Sequence, residues 1–572
     1  MKSLSMYPQF RAMILVHLPK VFQGVIAALG DFYTWKLADK VYGRGSNFSW
    51  TSLTVSIFSP WQWFCATRTL SNSLETVLTV AALYYWPWSL YSDASAVTSC
   101  SAAPKAVSKT QWTFFGTSEI LQTVLDRKHL RLSLFLAGIA CLLRPTNILI
   151  WLSIVTIVIT RLGLRGKSLA KVSDLFLFAR EAFLCGLGAL SMSVLCDRLY
   201  YGLWTFPPYQ WLHFNISQDL AIFYGQNRPD YYFTEGLPLL LTTCLPFGII
   251  ALVSATSLTN SYSFSTQTAN IRFQFAFTVL VMVCTLSLIS HKEVRFIYPL
   301  LPILHVLLAP HISTFFNFGS IPAPPASGLN NRAKPSLCIP TTFRRALLFL
   351  MAMVNVAVCL YTSLVHQRGV IDVLAFLRND YERLHLSIKG DLVTQESETF
   401  AAFLMPCHST PWRSHLVYPN LHAWALTCEP PLDIPVGTPG REGYRDEADR
   451  FFDDPEKFLS EEVGSKSRPW PRYLIAFEGE KGLEETLRKH VEGLMEGWTL
   501  KRTTSFFNSH NHDDDRRKGR IVVWEMAQIG DQERGKEKVV EEEERRRLED
   551  DYKGHRSTDD SELVEEIEGA EE

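Results

Sequence analysis

The 572 residues contain no glycine-rich loop that could cradle nucleotide phosphates. That absence counts against an enzyme using a sugar nucleotide directly, and against an ATP-driven pump. No internal repeat is visible, whereas membrane carriers usually show repeated halves with broken helices in matching positions. Metal-ligand spacing is missing too. His408 has no companion, and His510 and His512, just before the acidic run 513–515, read as a solvated loop. There is no recognisable secretory signal at Met1, and residues 1–11 hold Lys2 and Arg11 but no acidic residue. Beyond residue 365 the long apolar runs vanish. The formal net charge of −2 therefore averages two unlike halves and says nothing about partners.

What is present is a series of about ten apolar runs in residues 1–365. Five approach the roughly 20 residues that cross a bilayer as a helix: 346–365, 273–289, 239–255, 182–200 and 69–86. Weaker or broken ones are 12–29, 49–66, 132–143, 147–160 and 296–318, the last carrying Pro299 and Pro302. So many in series specify an all-α polytopic membrane protein, not a soluble core. Every second connection is basic: Lys36, Lys40 and Arg44; Arg127, Lys128 and Arg131; Arg161, Arg165, Lys167 and Lys171; Arg332, Lys334, Arg344 and Arg345. These belong in the cytosol. The turns at Arg68, at 144–147 and at 291–295, the aromatic stretch 201–236 and everything after residue 365 then face the other side. The parity works if the chain starts on that side as well.

Residues 366–530 read as a small α+β domain, with strands at 473–477 and 520–524 and helical spacing at 447–459 and 482–495. Residues 531–572 form a charged, low-complexity tail, where acidic 541–544 runs into basic 545–547. Residues 92–110 read as a flexible cytosolic connection. Of eleven cysteines, Cys407 and Cys428 fall in the domain beyond the membrane, where disulfides are permitted, and they are expected to pair. Asn47 and Asn215 match the N-glycosylation pattern, but only Asn215 is on the non-cytosolic side.

The richest polar cluster is HKEVRFIYP, residues 291–299. His291, Lys292, Glu293 and Arg295 are confined to a turn too short to leave the membrane surface. They are held where a lipid headgroup would sit, and Lys and Arg there suit a phosphate. A snorkelling helix boundary is the plainer alternative. Arg68, Asn72 and Glu75 follow at spacings of four and three on one helix face. They are either a polar stripe lining a cavity or a hydrogen-bonded seam between helices. Arg144 sits at a proline-broken turn on the same side, and Asp197 and Arg198 close a span at that level. The aromatic stretch 204–236 suits an interfacial belt, and also sugar stacking.

These motifs resemble glycosyltransferase family 22, the dolichyl-phosphate-mannose-dependent mannosyltransferases. RTLSNSLET at 68–76, RPTN at 144–147, DRLYYG at 197–202 and HKEVRFIYP at 291–299 match that family in order. YYFTEGLP at 231–238, HQRG at 366–369 and MPCHSTP at 405–411 point within it to the branch adding the third mannose of the GPI anchor. The resemblance covers residues 12–530. It implies a GT-C type fold and inverting transfer of mannose in the lumen of the endoplasmic reticulum. The donor would be dolichyl phosphate mannose, the acceptor a GPI-anchor glycolipid precursor and the linkage α-1,2, with no metal or other cofactor. His291, Lys292, Arg295, Arg68 and Arg144 would hold the donor phosphate. Asn72, Glu75, Asp197, Arg198 and Tyr298 would line the cavity. The family supplies its catalytic base from an acidic pair in a first lumenal loop, and this sequence resembles the family only from the end of that loop. Hence the expectation is that an upstream helix and loop are missing, and that the 572-residue form alone does not restore GPI synthesis. Glu293 is the fallback base, although Glu75, Asp197 and Glu293 all sit beside cations that should lower their pKa. Still open are an α-1,2-mannosyltransferase of the dolichol-linked N-glycan precursor and a non-catalytic membrane carrier or scaffold.

Overall fold

A computed structural model describes residues 8–88, 124–164, 172–213, 223, 225–257, 264–318, 340–385, 399–435, 438–479, 482–494, 497–512 and 514–528. Asn215, the 92–110 connection and the charged tail lie outside the described residues. The chain divides into two compact units, His17–Leu364 and Met1–Val16 with Val365–Glu572.

The first unit is a helical bundle. Among the described residues, six helices are long and apolar enough to cross a membrane: Pro8–Tyr42, Phe176–Tyr201, Tyr232–Thr256, Thr266–Ser287, Val294–Phe315 and Thr341–His385. Val294–Phe315 is the central post, 94% buried. Pro299 holds its first part, Val294–Leu300, in a 3-10 coil, and Pro302 starts the α-helix Leu301–Phe315.

The structure changes two expected spans. Residues 49–66 are two short helices, Asn47–Ile57 and Pro60–Ala66. The break is chemical: the Ser59 hydroxyl accepts from the Gln62 amide, and Pro60 occupies the first turn, where its missing N–H costs nothing. Residues 69–86 form a helix of only 15 residues, Ser71–Tyr85, ten of them buried. That is short of a crossing and reads as an interior helix. Close approach replaces bulk between Val124–Leu143 and Val172–Tyr201, where a Cβ on Gly138 would come within 3.2 Å of the Ala189 methyl.

Among the described residues, Lys40, Asn47 and Arg344 are tied to chain at one end of the bundle. Lys40 donates to the Tyr84 carbonyl at 2.7 Å, Asn47 to the Phe318 carbonyl, and Arg344 to the Phe315 carbonyl at 3.0 Å. The turns at Arg68, Arg144 and Arg295 meet at the other end.

The second unit holds a five-stranded sheet ordered β2-β1-β3-β5-β4. Its strands are β1 (Thr399–Phe403), β2 (His422–Ala425), β3 (Tyr473–Phe477), β4 (Trp498–Ser509) and β5 (Gly519–Gln528). β2, β1 and β3 run parallel, while β5 and β4 are antiparallel. Central β3 is buried at all five positions, as a strand covered on both faces should be. Tyr473, Ile475 and Phe477 pack with Val373, Leu374 and Leu377 of the helix Gly369–His385, while Leu474 and Ala476 pack with Phe451, Phe458 and Leu487. The single helix expected over 447–459 is two, Glu447–Asp453 and Pro455–Glu461, because Asp454 caps the second and Pro455 begins it.

Two of the motifs are structural joints of this unit. In HQRG, Gln367 donates its backbone N–H to the Asn508 carbonyl at 2.8 Å. A Cβ on Gly369 would stand 2.7 Å from the Phe507 carbonyl oxygen, so no other residue fits there. In MPCHSTP, Cys407 follows β1 and is bonded to Cys428, which follows β2, with Cα atoms 5.9 Å apart. The bridge pins the ends of two neighbouring parallel strands. Replacing Cys407 with Ser should cost about 2–4 kcal/mol, visible as faster proteolysis of this unit. Alkylation before and after reduction checks the bond, and two freely alkylated thiols in the unreduced protein would disprove it.

Candidate active site

The turn between the helices Thr266–Ser287 and Leu301–Phe315 carries His291, Lys292, Glu293 and Arg295 within five residues. Glu293 is clasped from two sides. Arg295 presents its Nε and Nη2 to it, the latter at 2.8 Å, and His291 Nε2 lies at 3.1 Å. His291 Nδ1 faces the Gly225 carbonyl at 3.2 Å. Both ring nitrogens thus meet acceptors, which favours the doubly protonated imidazolium. Accordingly the pKa of His291 is raised above 6.5, chiefly by the Glu293 hydrogen bond, against the effect of burial. Burial pushes Glu293 up, but the bonds from His291 and Arg295 outweigh it and hold the carboxyl below 4.5.

Lys292 is differently placed. It is only 4% exposed. Its backbone N–H donates to Asn227 Oδ1 at 2.9 Å and its Nζ to the Asn227 carbonyl at 3.1 Å. Among the described residues no carboxylate lies within ion-pair distance of it. An ammonium has three donors, so one carbonyl leaves it under-used.

Glu75, fully buried, anchors this turn to the bundle. Its Oε1 accepts from Asn147 Nδ2 at 2.9 Å and its Oε2 from Asn72 Nδ2 at 3.3 Å. Asn72 Nδ2 also donates to the Arg295 carbonyl at 3.1 Å. Asn147 Nδ2 reaches the Thr79 hydroxyl at 2.9 Å and its Oδ1 accepts from Trp151 Nε1 at 3.0 Å. Of the two readings left open for this helix face, the hydrogen-bonded seam is the one observed. Asn72 and Glu75 do not line open space, and Glu75 is held by two carboxamides instead of a salt bridge.

Arg68 precedes the Ser71–Tyr85 helix, with its guanidinium 4.0 Å from the Phe64 ring centroid. Arg144 stands 4.9 Å from the Phe296 ring centroid. Burial lowers its pKa, with Glu75 and Glu293 opposing and Arg295 adding to the shift, so the four groups feel one another. Neither arginine has a carboxylate partner among the described residues.

Three expected cavity residues sit elsewhere. Tyr298 is 1% exposed and donates to Gln62 Oε1 at 2.7 Å, inside the core. Asp197 has Ser193 Oγ at 3.5 Å, and Arg198 stacks at 5.6 Å over Trp204. Among the described residues no contact joins either to the Glu293 turn, and no cation lies within ion-pair distance of Asp197. The nearby aromatics Tyr200, Trp204 and Tyr209 are exposed, 83%, 70% and 65%.

Asn227 and Asn147 were legible as polar residues but not as partners, since Asn147 and Glu75 are 72 residues apart. Asp31, which accepts from Ser56 Oγ at 2.6 Å and Gln62 Nε2 at 3.2 Å, was passed over. Its signal was available: a carboxylate inside a membrane helix is costly and placed for a reason. The fold also brings His408 beside Cys407 and Cys428, ligand atoms within 4.8 Å. The two sulfurs are bonded to each other, so they offer no thiolate pair.

The His291–Glu293–Arg295 clasp fixes a pH window. It is complete between the ordinary Glu value of 4.5 and the ordinary His value of 6.5. It is lost on the acid side as pH falls through the lowered Glu293 value, and on the alkaline side as pH rises through the raised His291 value. An alkaline limb in the KM of the ligand that this turn binds is therefore expected, and His291→Gln should abolish it. A limb unchanged in that variant would assign the titration to another group.

The profile of the Alg9-like mannosyltransferase family matches residues 1–417. A GPI mannosyltransferase 3 of Gibberella zeae is 45% identical over 528 residues, covering 90% of this chain and 81% of its own. A GPI mannosyltransferase 3 of Aspergillus fumigatus is 40% identical over 552 residues, covering 90% of this chain, which spans 66% of that relative's length. Among solved structures, ArnT from Cupriavidus metallidurans bound to undecaprenyl phosphate shares 12% identity at a TM-score of 0.45, covering 88% of this chain and 83% of its own.

Proposed function

The chain belongs to the Alg9-like mannosyltransferase family, and we propose that it adds the third mannose to the GPI-anchor precursor. In this reading the donor is dolichyl phosphate mannose, the new linkage is α-1,2, and transfer takes place in the lumen of the endoplasmic reticulum. One observation carries the assignment of the donor phosphate. Lys292, Arg144 and Arg68 have no carboxylate partner among the described residues, at the end of a membrane bundle where a lipid phosphate would lie. Arg295 is already held by Glu293, so its fork reaches a phosphate only by loosening that clasp.

In the inverting step the acceptor hydroxyl oxygen attacks the anomeric carbon. A C–O bond forms as the bond from that carbon to the phosphate oxygen breaks. Dolichyl phosphate leaves with the electron pair, and the hydroxyl proton passes to a carboxylate. Lys292 and Arg144 meet the charge that grows on the leaving phosphate, as donors fixed in advance. No metal is invoked. Glu293, with its lowered pKa, is a weak base. The positive-inside rule supports the orientation: the end bearing Lys40 and Arg344 faces the cytosol, and the Glu293 end the lumen.

In microsomes carrying the protein, whatever mannose is transferred from dolichyl phosphate mannose should go to a GPI precursor with two mannoses and be removable by an α-1,2-mannosidase. Lys292→Gln should lose about 1.5–3 kcal/mol of charged hydrogen bonding, a tenfold or greater fall in kcat/KM for the donor. Transfer only to dolichol-linked oligosaccharides would overturn the acceptor, and unchanged donor kinetics in Lys292→Gln would overturn the phosphate site.

A further inference from the structure

At the bundle end bearing Lys40 and Arg344, a second feature stands apart from the Glu293 turn. A cavity of about 430 Å³ opens between the helices Asn47–Ile57, Leu301–Phe315 and Thr341–Leu364 and the 3-10 turn Thr242–Cys244. That volume lies in the range of about 300–1,000 Å³ common for small-ligand sites. Its floor is buried, with Ile312 at 5% and Phe316 at 9% exposure, while Trp50 and Phe58 on its wall are 51% and 40% exposed. It is a half-open slot in a membrane-spanning bundle.

The polar groups on its walls are already engaged. The Thr51 hydroxyl donates to the Asn47 carbonyl at 2.7 Å and that of Thr54 to the Trp50 carbonyl at 2.9 Å. Thr243 donates to Asn355 Oδ1 at 2.9 Å, and Asn47 gives its amide to the Phe318 carbonyl. A sugar would find few groups to bind here. A hydrocarbon chain would lose nothing.

Three arginines lie next to the slot's lining residues in sequence. On the helix Thr341–Leu364, Leu348, Met351, Ala352 and Asn355 line the cavity at helical spacing. Arg344 and Arg345 lie one turn before Leu348, on the same face. Arg344 Nη1 is fixed to the Phe315 carbonyl and to Asn317 Oδ1, both at 3.0 Å, which holds the guanidinium at that level. Arg44 stands just before Asn47, at the same end. None of these three arginines has an acidic partner among the described residues. The nearest acid in sequence, Asp39, is taken by Lys36 at 3.2 Å and the Gly45 amide at 2.9 Å.

We propose that this slot holds one acyl chain of an anionic phospholipid, whose phosphate meets Arg344, Arg345 and Arg44. Charge complementarity selects the occupant. A neutral lipid would leave three arginines without a counter-charge, whereas anionic headgroups are attracted to cations near the membrane surface. The occupant is not the sugar donor, since the cations of the Glu293 turn lie at the opposite end of the bundle.

The test is photolabelling of the full chain in nanodiscs, with phosphatidylserine or phosphatidylcholine carrying a photoreactive acyl chain. Phosphatidylserine should label peptides from Asn47–Ile57 and Thr341–Leu364, and phosphatidylcholine should label them markedly less. Filling the slot by Ala352→Trp should remove that labelling and leave labelling of the lipid-facing helix Phe176–Tyr201 unchanged. Each of Arg344→Gln and Arg345→Gln should cut the preference for the anionic lipid about fivefold, a readout that does not depend on the tryptophan variant folding. Equal labelling by both lipids, or labelling unaltered in both arginine variants, would overturn the proposal. So would displacement of the label by dolichyl phosphate but not by unlabelled phosphatidylserine.

Discussion

The carboxylate of Glu75 is the constraint on which the charged end of the bundle depends. It lies fully buried and binds Asn72 from its own helix and Asn147 from a turn 72 residues away. Through Asn72 the same knot holds the backbone of Arg295. Three pieces of chain, the Ser71–Tyr85 helix, the Pro145–Asn147 turn and the Val294–Leu300 coil, are thereby fixed to one another. In a membrane interior no water replaces a lost partner, and removing one amide strands the others unsatisfied. The cations Arg68, Arg144 and Lys292 stand on or next to the elements that this knot connects. Their geometry is inherited from it.

Much of this was legible in the sequence, and what was hidden was hidden for one reason. Apolar runs showed a polytopic bundle, and Lys40 and Arg344, two of the basic positions, are tied to chain at the same end of it. Both signals are local in sequence. The pairing of charges is not. HKEVRFIYP showed three cations around one carboxylate, but not that Glu293 would engage His291 and Arg295 and leave Lys292 to a carbonyl of Asn227, 65 residues away. Likewise Asn72 and Glu75 fit a cavity wall or a seam equally well until Asn147 and the Arg295 carbonyl were placed. In the α+β unit, the buried strand β3 was readable because every residue is apolar. β4 escaped because Lys501, Arg502 and the hydroxyls after them break the pattern of its buried positions. The break before Pro455 is of another kind: Asp-Pro is a helix start written in the sequence, inside a stretch whose helical spacing runs on through it.

The branch motifs outside the bundle show how chemistry-bearing residue types can serve architecture. HQRG and MPCHSTP contain His, Cys, Arg and Ser, the usual vocabulary of sites. Yet Gly369 is required by the nearness of the Phe507 carbonyl, and Cys407 is spent on a bridge between the ends of two strands. What these motifs preserve is the attachment of a helix to β4 and of β1 to β2.

The two ends of the bundle face the same physical problem with opposite solutions. A cation near lipid must find a counter-charge, a carbonyl or a ligand. At the Glu293 end, Glu293 satisfies two cations and holds the turn, while Lys292 and Arg144 have no carboxylate partner among the described residues, as the proposed phosphate site requires. At the Arg344 end no described acid pairs with the three arginines at all, and the slot beneath them is apolar. A site that must release its ligand gains from cations partly compensated by fixed carbonyls and a nearby carboxylate, because the residual attraction is moderate. Arg344 leans on fixed carbonyls as well, those of Phe315 and Asn317, but no described carboxylate shares its charge, and the lipid proposed there would be held longer. In the two proposals, then, the difference in local acids is what separates a place of turnover from a place of residence within one membrane-spanning unit.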